Sequence, residues 1–260
     1  MPEGHLVHRY AREHDAKLRG EPLHVSSPQG RFAAEARVLD GRHLQRAEAW
    51  GKHLFHHWDD ASIVHVHLGQ RGVFLHGPPP AQVLPQARLR LEGSRLVATL
   101  IAPARCERLD AAGREAIVAR LGPDPLRTDA DPERALDAIA RSRAPIGALL
   151  LDQRVIAGVG NVLRAEALSL CRIAPTRAGR ELSRERAEAL WTTLVELMRR
   201  AAEDGRILTA VSEGADRASI PEEETRLVYR QLRCRRCGEA IDARPIGGRT
   251  AYSCPRCQPD

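Results

Sequence analysis

Residues 234–257 read CRRCGEAIDARPIGGRTAYSCPRC. Two Cys-x-x-Cys pairs, Cys234/Cys237 and Cys254/Cys257, stand sixteen residues apart, the spacing of two knuckles that close a tetrahedral site of four thiolates. Four thiolates leave no open coordination position, so the implied cofactor is one structural zinc ion. It stabilises a C-terminal zinc-finger β-hairpin of about 35 residues, too short to hold itself together with a core of its own. Between the knuckles, Gly247-Gly248 reads as a tight hairpin turn that projects Arg249 outward. Four of the six cysteines lie in the last 27 residues, which argues for a metal in a reducing compartment and against a disulfide framework. Cys106 and Cys171 stand alone and read as ordinary small buried or half-buried residues.

Working back from the finger, the chain divides into a helical part and a strand-rich part. Ser183 to about Glu203 places Leu190, Trp191, Leu194 and Met198 on one helical face, and Asp131-Pro132-Glu133 is a helix start with proline in the first turn. A further helix is led by Pro145, and the second half reads as helical until the cysteines. The charged, small-residue run Glu213 to Glu224 reads as a mobile loop. After a stop at Gly122-Pro123, Asp124, Pro125, Asp129, Asp131 and Pro132 make a polar, proline-punctuated linker. From about Val25 to Ile101 the pattern is that of an antiparallel β-sandwich. Asp40-Gly41 reads as a hairpin turn between Val38-Leu39 and His43-Leu44, and Ile63–Leu68 alternates His65 and His67 against Val64, Val66 and Leu68. The alternation of His53, His56, His57, His65 and His67 reads as a polar sheet face, not a second metal site. A short helix opens the chain, with Leu6, Val7, Tyr10, Ala11, His14 and Leu18 at helical spacing.

The chain has 260 residues, and 40 Lys plus Arg against 34 Asp plus Glu give a net charge of +6. That balance favours a polyanionic partner, although many arginine-rich chains of this charge bind no nucleic acid. No apolar signal run follows Met1-Pro2-Glu3-Gly4-His5, and no stretch approaches the roughly 18 apolar residues that span a bilayer. The expectation is a soluble cytoplasmic protein with no membrane partner.

Two further segments bear on chemistry. In Ile156-Ala157-Gly158-Val159-Gly160-Asn161 the glycines permit close backbone approach and Asn161 is a good helix N-cap, so Gly158, Gly160 and Asn161 suit a phosphate, though such a loop can also be a simple turn between helices. At the start, removal of Met1 before Pro2 leaves a secondary amine, a nucleophile available at neutral pH because an α-amine has a reference pKa of roughly 7.7 to 8.0. Attack on a sugar's anomeric carbon gives a cationic iminium that drives elimination, and Glu3 can donate the proton.

Pro2-Glu3-Gly4-His5, Gly51-Lys52-His53-Leu54, Ile156–Asn161 and the Arg249-bearing hairpin occur in the order and at the separations of the formamidopyrimidine-DNA glycosylase and endonuclease VIII family. The chain resembles that family over its whole length, with an opening closer to the endonuclease VIII branch. The resemblance implies an α+β multidomain fold: an N-terminal catalytic β-sandwich with flanking helices over residues 1–122, a linker over 123–133, a helix-two-turns-helix DNA-binding domain over 134–225 and the zinc finger over 226–260. It implies a monomeric DNA glycosylase and abasic-site lyase of base excision repair, in the cytoplasm and on the nucleoid when bound to damaged DNA, with no nucleotide cofactor. Oxidised bases, pyrimidines above all, are removed through a Pro2 Schiff base followed by β,δ-elimination.

Carried over by position, Pro2 is the nucleophile and Glu3 the general acid. Lys52 lies on a hairpin that contacts DNA near the lesion and assists proton transfer. Asn161 and Arg249 grip phosphates flanking the extruded nucleotide, and Arg249 counts among the catalytic residues with Pro2, Glu3 and Lys52. Phosphate contacts offset the few kcal/mol that base flipping costs. The chain departs from the family in two places. Leu6 stands where many members carry a supporting carboxylate, and the turn Leu68-Gly69-Gln70-Arg71-Gly72 lacks a bulky apolar wedge, leaving Gln70 and Arg71 to fill the void behind the flipped base. The competing readings are a catalytically weak damaged-DNA-binding protein of the same fold, and a zinc-ribbon protein of transcription or translation that explains the cysteines alone.

Overall fold

The computed structural model describes residues 2–211 and 216–259. They form two compact units, Met1–Arg120 and Leu121–Asp260.

The first unit runs α1 (Gly4–Leu18), β1 (His24–Ser26), α2 (Ala33–Leu39), β2 (Leu44–Trp50), β3 (His53–Trp58), β4 (Ile63–His67), β5 (Val73–Gly77), β6 (Ala87–Glu92), β7 (Val97–Ile101), β8 (Arg105–Leu109) and α3 (Ala111–Val118). Two four-stranded antiparallel sheets, in the orders β1-β6-β7-β5 and β2-β3-β4-β8, form the sandwich. One core fills it, with Leu54, Val64 and Val66 from one sheet among Leu89, Leu91 and Leu100 from the other. On α1, Val7, Ala11, His14 and Leu18 are buried at helical spacing, so the helix packs on β2 and β3. The opposite face of β3 is covered by α3, where Phe55 and Ile63 meet Val118.

The Asp40-Gly41 hairpin is not formed. Ala33–Leu39 is helical, with Ala36 and Leu39 buried, and Asp40-Gly41 ends that helix with Gly41 at φ 77°. An Asp-Gly pair suits a helix terminus as well as a hairpin, because glycine at positive φ is common to both.

The second unit contains α4 (Pro132–Ala140), α5 (Ile146–Leu149), α6 (Asn161–Leu170), α7 (Arg184–Asp204), β9 (Asp242–Ile246) and β10 (Arg249–Ser253). Asp131 caps α4 through the Glu133 N–H at 3.1 Å, and Ser183 caps α7, which stops at Gly205 with φ 76°. Leu190, Leu194 and Met198 of α7 pack on Ile146 and Leu163. The start of the expected linker is packed into this unit: residues 121–125 are buried and the Gly122 N–H donates to the Gln153 carbonyl at 2.8 Å. A Cβ at Gly122 would sit 2.5 Å from the Val155 carbonyl oxygen, so glycine there serves close packing.

Between α7 and the finger the described chain is not helical beyond one short turn at Glu222–Glu224. The expected loop Glu213–Glu224 lies partly outside the described residues. Its described part is tied down, since the Arg206 guanidinium donates to the carbonyls of Ile220, Arg217 and Ala218. Among the described residues no helix is long and apolar enough to cross a membrane.

Candidate functional site

In the first unit, Pro2 is half-buried and Glu3, with backbone at φ −123° and ψ 179°, occupies the N-cap position of α1. The Glu3 carbonyl accepts from the Leu6 N–H at 3.1 Å, and its side chain is 1% exposed without capping the helix. The terminal segment is therefore fixed to the positive end of a helix dipole. A negatively charged or electron-rich group is favoured there, and a cationic ammonium is not.

Lys52 sits in the two-residue turn Gly51-Lys52 that joins β2 to β3, where Trp50 pairs with His53. Gly51 has φ 58°, which a two-residue hairpin loop of this kind requires at its first position. The histidines beyond it do not share one polar face: His56 lies on one side of the sheet and His53, His65 and His67 on the other, buried or half-buried, while His57, half-buried, lies 2.9 Å from Glu48. On the sandwich side, His56 Nε2 lies 2.8 Å from His14 Nδ1, His14 Nε2 lies 2.9 Å from His76 Nε2, and His76 Nδ1 lies 2.8 Å from Glu13. Burial holds His14 well below the ordinary imidazole range and His56 down at about 3. On the other side, His53 Nδ1 lies 2.9 Å from His65 Nε2, and His65 Nδ1 lies 2.9 Å from Glu107. Burial, helped by the positive charges of Lys52 and Arg105, lowers His53 to about 3 and His67 to about 4. Strand alternation says which side a residue faces. It does not say whether that side meets solvent or, as here, α1 on one side and α3 on the other.

Gln70 and Arg71 are exposed at the tip of the β4–β5 turn. The glycines beside them fix its shape: Gly69 has φ 69°, and a Cβ at Gly72 would lie 2.3 Å from the Leu68 carbonyl oxygen.

In the second unit, the glycine loop leads into α6, but the N-cap is Gly160, and Asn161 is the first helical residue. The Gly158 N–H, at φ 91°, donates to the Gln153 carboxamide at 3.0 Å. Asn161 is committed to the finger: its Nδ2 donates to the Thr250 carbonyl at 3.1 Å, and its Oδ1 accepts from Arg164. Arg164, 1% exposed, also donates to the carbonyls of Gly147, Ile246 and Thr250. Glu166, fully buried, accepts from the backbone N–H groups of Leu227, Val228 and Tyr229 at 2.8 to 3.0 Å and from the Thr209 hydroxyl. Sequence reading missed both residues, although a readable signal exists: charges at positions 164 and 166 interrupt an otherwise apolar helix.

The finger is a two-stranded antiparallel hairpin in which Arg249 pairs with Ile246 across Gly247-Gly248, whose φ values are 64° and 73°. Paired positive φ angles are those of a type I′ turn, and Arg249 is exposed as expected. The Sγ atoms of Cys234, Cys237, Cys254 and Cys257 all lie within 4.8 Å of one another, with Cys237 to Cys254 at 3.5 Å and Cys237 to Cys257 at 3.4 Å. These separations match the edges of a tetrahedron with metal–sulfur bonds of about 2.3 Å and exceed a disulfide's roughly 2.05 Å. The donor set fits a zinc ion. The knuckles are braced by Gln258, which accepts from the Cys254 N–H at 3.0 Å and donates to the Ile173 carbonyl at 2.8 Å. Cys106, pushed up to about 12 by burial, and Cys171, half-buried against Thr193, take no part.

Comparison with known proteins places this arrangement. The formamidopyrimidine-DNA glycosylase N-terminal domain matches residues 1–104, and the formamidopyrimidine-DNA glycosylase H2TH domain matches residues 121–212. The chain is 46% identical over 267 aligned residues to the proteins called Endonuclease 8 1 of Mycobacterium bovis and Mycobacterium tuberculosis, covering 99% of this chain and 100% of theirs. It is 32% identical over 230 residues to the formamidopyrimidine-DNA glycosylase of Thermus thermophilus, covering 85% of this chain and 84% of that one. Its fold is that of Lactococcus lactis formamidopyrimidine-DNA glycosylase. The TM-score is 0.79 at 22% identity, over the full length of both chains, for the complex with DNA containing N7-benzyl-Fapy-dG. It is 0.78 at 22% identity, over 99% of this chain and 100% of that one, for the enzyme bound non-covalently to DNA containing an abasic site.

Proposed function

This chain belongs to the formamidopyrimidine-DNA glycosylase and endonuclease VIII family, and from that membership we propose that it excises oxidised bases, pyrimidines above all, and then cleaves the abasic site. Its enzymatic class is DNA glycosylase with abasic-site lyase activity, in base excision repair. The observation that carries the finer reading is the terminus of α1, where Pro2 and the buried Glu3 sit together at the positive end of the helix.

With Met1 removed, the Pro2 nitrogen attacks C1′ of the lesion nucleotide, and the base departs with the electron pair of the C1′–N bond and the proton that the amine loses; Glu3 then protonates O4′ as the C1′–O4′ bond breaks, opening the sugar. The resulting iminium acidifies C2′–H, and loss of that proton expels the 3′ phosphate. A second elimination expels the 5′ phosphate and completes β,δ-elimination. The helix dipole favours the uncharged amine, the form that attacks.

Lys52, Arg249 and Asn161 serve the phosphates around the extruded nucleotide, with Gly158 and Gly160 shaping the loop before α6 and Gln70 and Arg71 entering the vacated stack. Asn161 acts largely through the finger, since its carboxamide is bonded to the Thr250 carbonyl one residue from Arg249. The four cysteines hold zinc for structure only. The protein acts as a monomer on damaged DNA, in the cytoplasm and on the nucleoid, with no nucleotide cofactor.

The test is incubation with oligonucleotides bearing an abasic site, an oxidised pyrimidine or an oxidised purine, with borohydride present. A covalent adduct mapped to Pro2, formed best with the abasic and pyrimidine substrates, is the expected result. Tight binding to all three without an adduct would instead favour a damage-binding protein.

A further inference from the structure

One face of the β2-β3-β4-β8 sheet carries a carboxylate and two imidazoles in series that end at the residue following Lys52. The strand register sets them side by side: His53 pairs with His67, Phe55 with His65, and His65 with Glu107. Glu107 accepts from His65 Nδ1 at 2.9 Å, and His65 Nε2 lies 2.9 Å from His53 Nδ1. The rings are held flat on one another, His53 on His65 at 5.1 Å and 18° and Phe55 on His65 at 5.2 Å and 23°, with Arg114 over Phe55 at 5.5 Å.

The direction of the series follows from donor arithmetic. A carboxylate only accepts, so the His65 proton lies on Nδ1. A neutral imidazole has one N–H, so His65 Nε2 accepts and His53 Nδ1 donates. His53 Nε2 is then left with its lone pair. Burial above all keeps the pair of rings uncharged, outweighing the pull of the Glu107 carboxylate on His65; His67 across the register, Lys52 before His53, and Arg105, 3.8 Å from Glu107 on β8, add to it.

We propose that His53, fixed in one tautomer by His65 and Glu107, is a positioning residue for Lys52, holding an uncharged, hydrogen-bond-accepting nitrogen beside the turn that carries the ammonium. This rests on the reading of Lys52 as a DNA contact. The charge of Lys52 acts on His53 and His67, and the coupling is reciprocal. A protonated His53, or one with the proton moved to Nε2, directs positive charge at the Lys52 turn and works against its placement on a phosphate. Glu107, on the sheet's edge strand, thus sets the hydrogen-bonding character of a residue two strands away.

The experiment uses full-length, zinc-loaded protein and three substitutions: Glu107→Leu, Glu107→Gln and Lys52→Met. Imidazole ¹⁵N shifts report the tautomer, and binding is measured on duplex DNA carrying a tetrahydrofuran abasic analogue. In the parent protein His53 Nε2 is expected to be unprotonated. Glu107→Leu should move the proton to Nε2 and weaken binding roughly fivefold, the size of one ordinary hydrogen bond. Glu107→Gln, which still accepts, should restore both. In a Lys52→Met background Glu107→Leu should cost nothing more, because the two act through one path.

A parent protein with His53 protonated at Nε2 overturns the proposal without any variant. So does a tautomer unchanged in Glu107→Leu, a reversed tautomer with unchanged binding, or the same loss with Lys52 already removed. If Lys52→Met itself binds like the parent, the DNA-contact reading of Lys52 fails and the positioning role with it. The ¹⁵N result then still shows whether the series is directed as described.

Discussion

Arg164, buried in α6, donates to the carbonyl oxygen of Ile246 at 2.8 Å, and to that of Thr250 at 2.9 Å. These two carbonyls bracket Gly247-Gly248-Arg249, so one guanidinium holds both sides of the turn that presents Arg249. Replacing Arg164 by leucine strands the buried carbonyls of Gly147 and Ile246 and should cost about 2 to 4 kcal/mol. Arg164→Leu should lower the melting temperature and weaken abasic-DNA binding at least as much as Arg249→Ala. A variant that melts and binds like the parent would detach the turn's placement from this residue.

Metal content makes a second check. One equivalent of zinc is expected per chain, and serine at Cys234, Cys237, Cys254 or Cys257 should abolish both metal and DNA binding, since the finger's folding energy comes from the ion. Full DNA binding with less than about a tenth of an equivalent bound would contradict the stabilising role.

Glu166→Gln tests the other buried charged group on α6. The carboxylate takes three backbone N–H groups and a hydroxyl, and an amide must turn one N–H₂ toward a donor. The expected loss is roughly 2 to 3 kcal/mol, read from chemical denaturation, with faster amide exchange at Leu227, Val228 and Tyr229. Parent-like exchange there would show that the carboxylate is dispensable.

At the terminus, Pro2→Gly should keep some borohydride trapping through its primary amine, and one added N-terminal residue should abolish it by moving the nucleophile out of line. Glu3→Gln should impair base removal strongly and cleavage of a preformed abasic site less, because the proton that opens the sugar matters most on an intact nucleotide. An adduct on Lys52 instead of Pro2 would overturn the assignment.

Acid should destabilise the first unit well before its carboxylates titrate. His53 and His56 are lowered to about 3 and His67 to about 4 by burial, from an ordinary 6.5. A lowered folded value means that the fold favours the neutral ring. Its contribution is complete above about pH 6.5 and is lost as pH falls toward 4 and 3, each histidine adding up to roughly 1.4 kcal/mol per pH unit in that window. Urea unfolding followed by Trp50 and Trp58, with Trp191 replaced by phenylalanine, should show the slope, and His56→Gln should reduce it. Stability that stays flat from pH 7 to 5 would refute this account.

The finger was legible from Cys234, Cys237, Cys254 and Cys257 because metal ligation imposes spacing, and Asp131-Pro132 and Ser183 announced their helices through capping chemistry that is local to a few residues. The sheet was legible in outline. What failed was everything decided at a distance. Asp40-Gly41 has the same local chemistry in a helix end as in a hairpin. His56 and His65 look like surface residues until α1 and α3 cover them. Asn161 is a sound cap by composition, yet Thr250, 89 residues away, engages its side chain, leaving Gly160 to begin the helix.

The polar side chains that α6 turns toward the finger bear on how portable that finger is. A peptide of residues 226–260 carries everything needed to wrap zinc, but the grip on Ile246, Thr250 and the Leu227–Tyr229 segment stays behind on another helix. Grafted alone onto a relative, the hairpin would arrive folded and misdirected. A working transplant has to carry Asn161, Arg164 and Glu166 with it, so the helix and the hairpin move as one block.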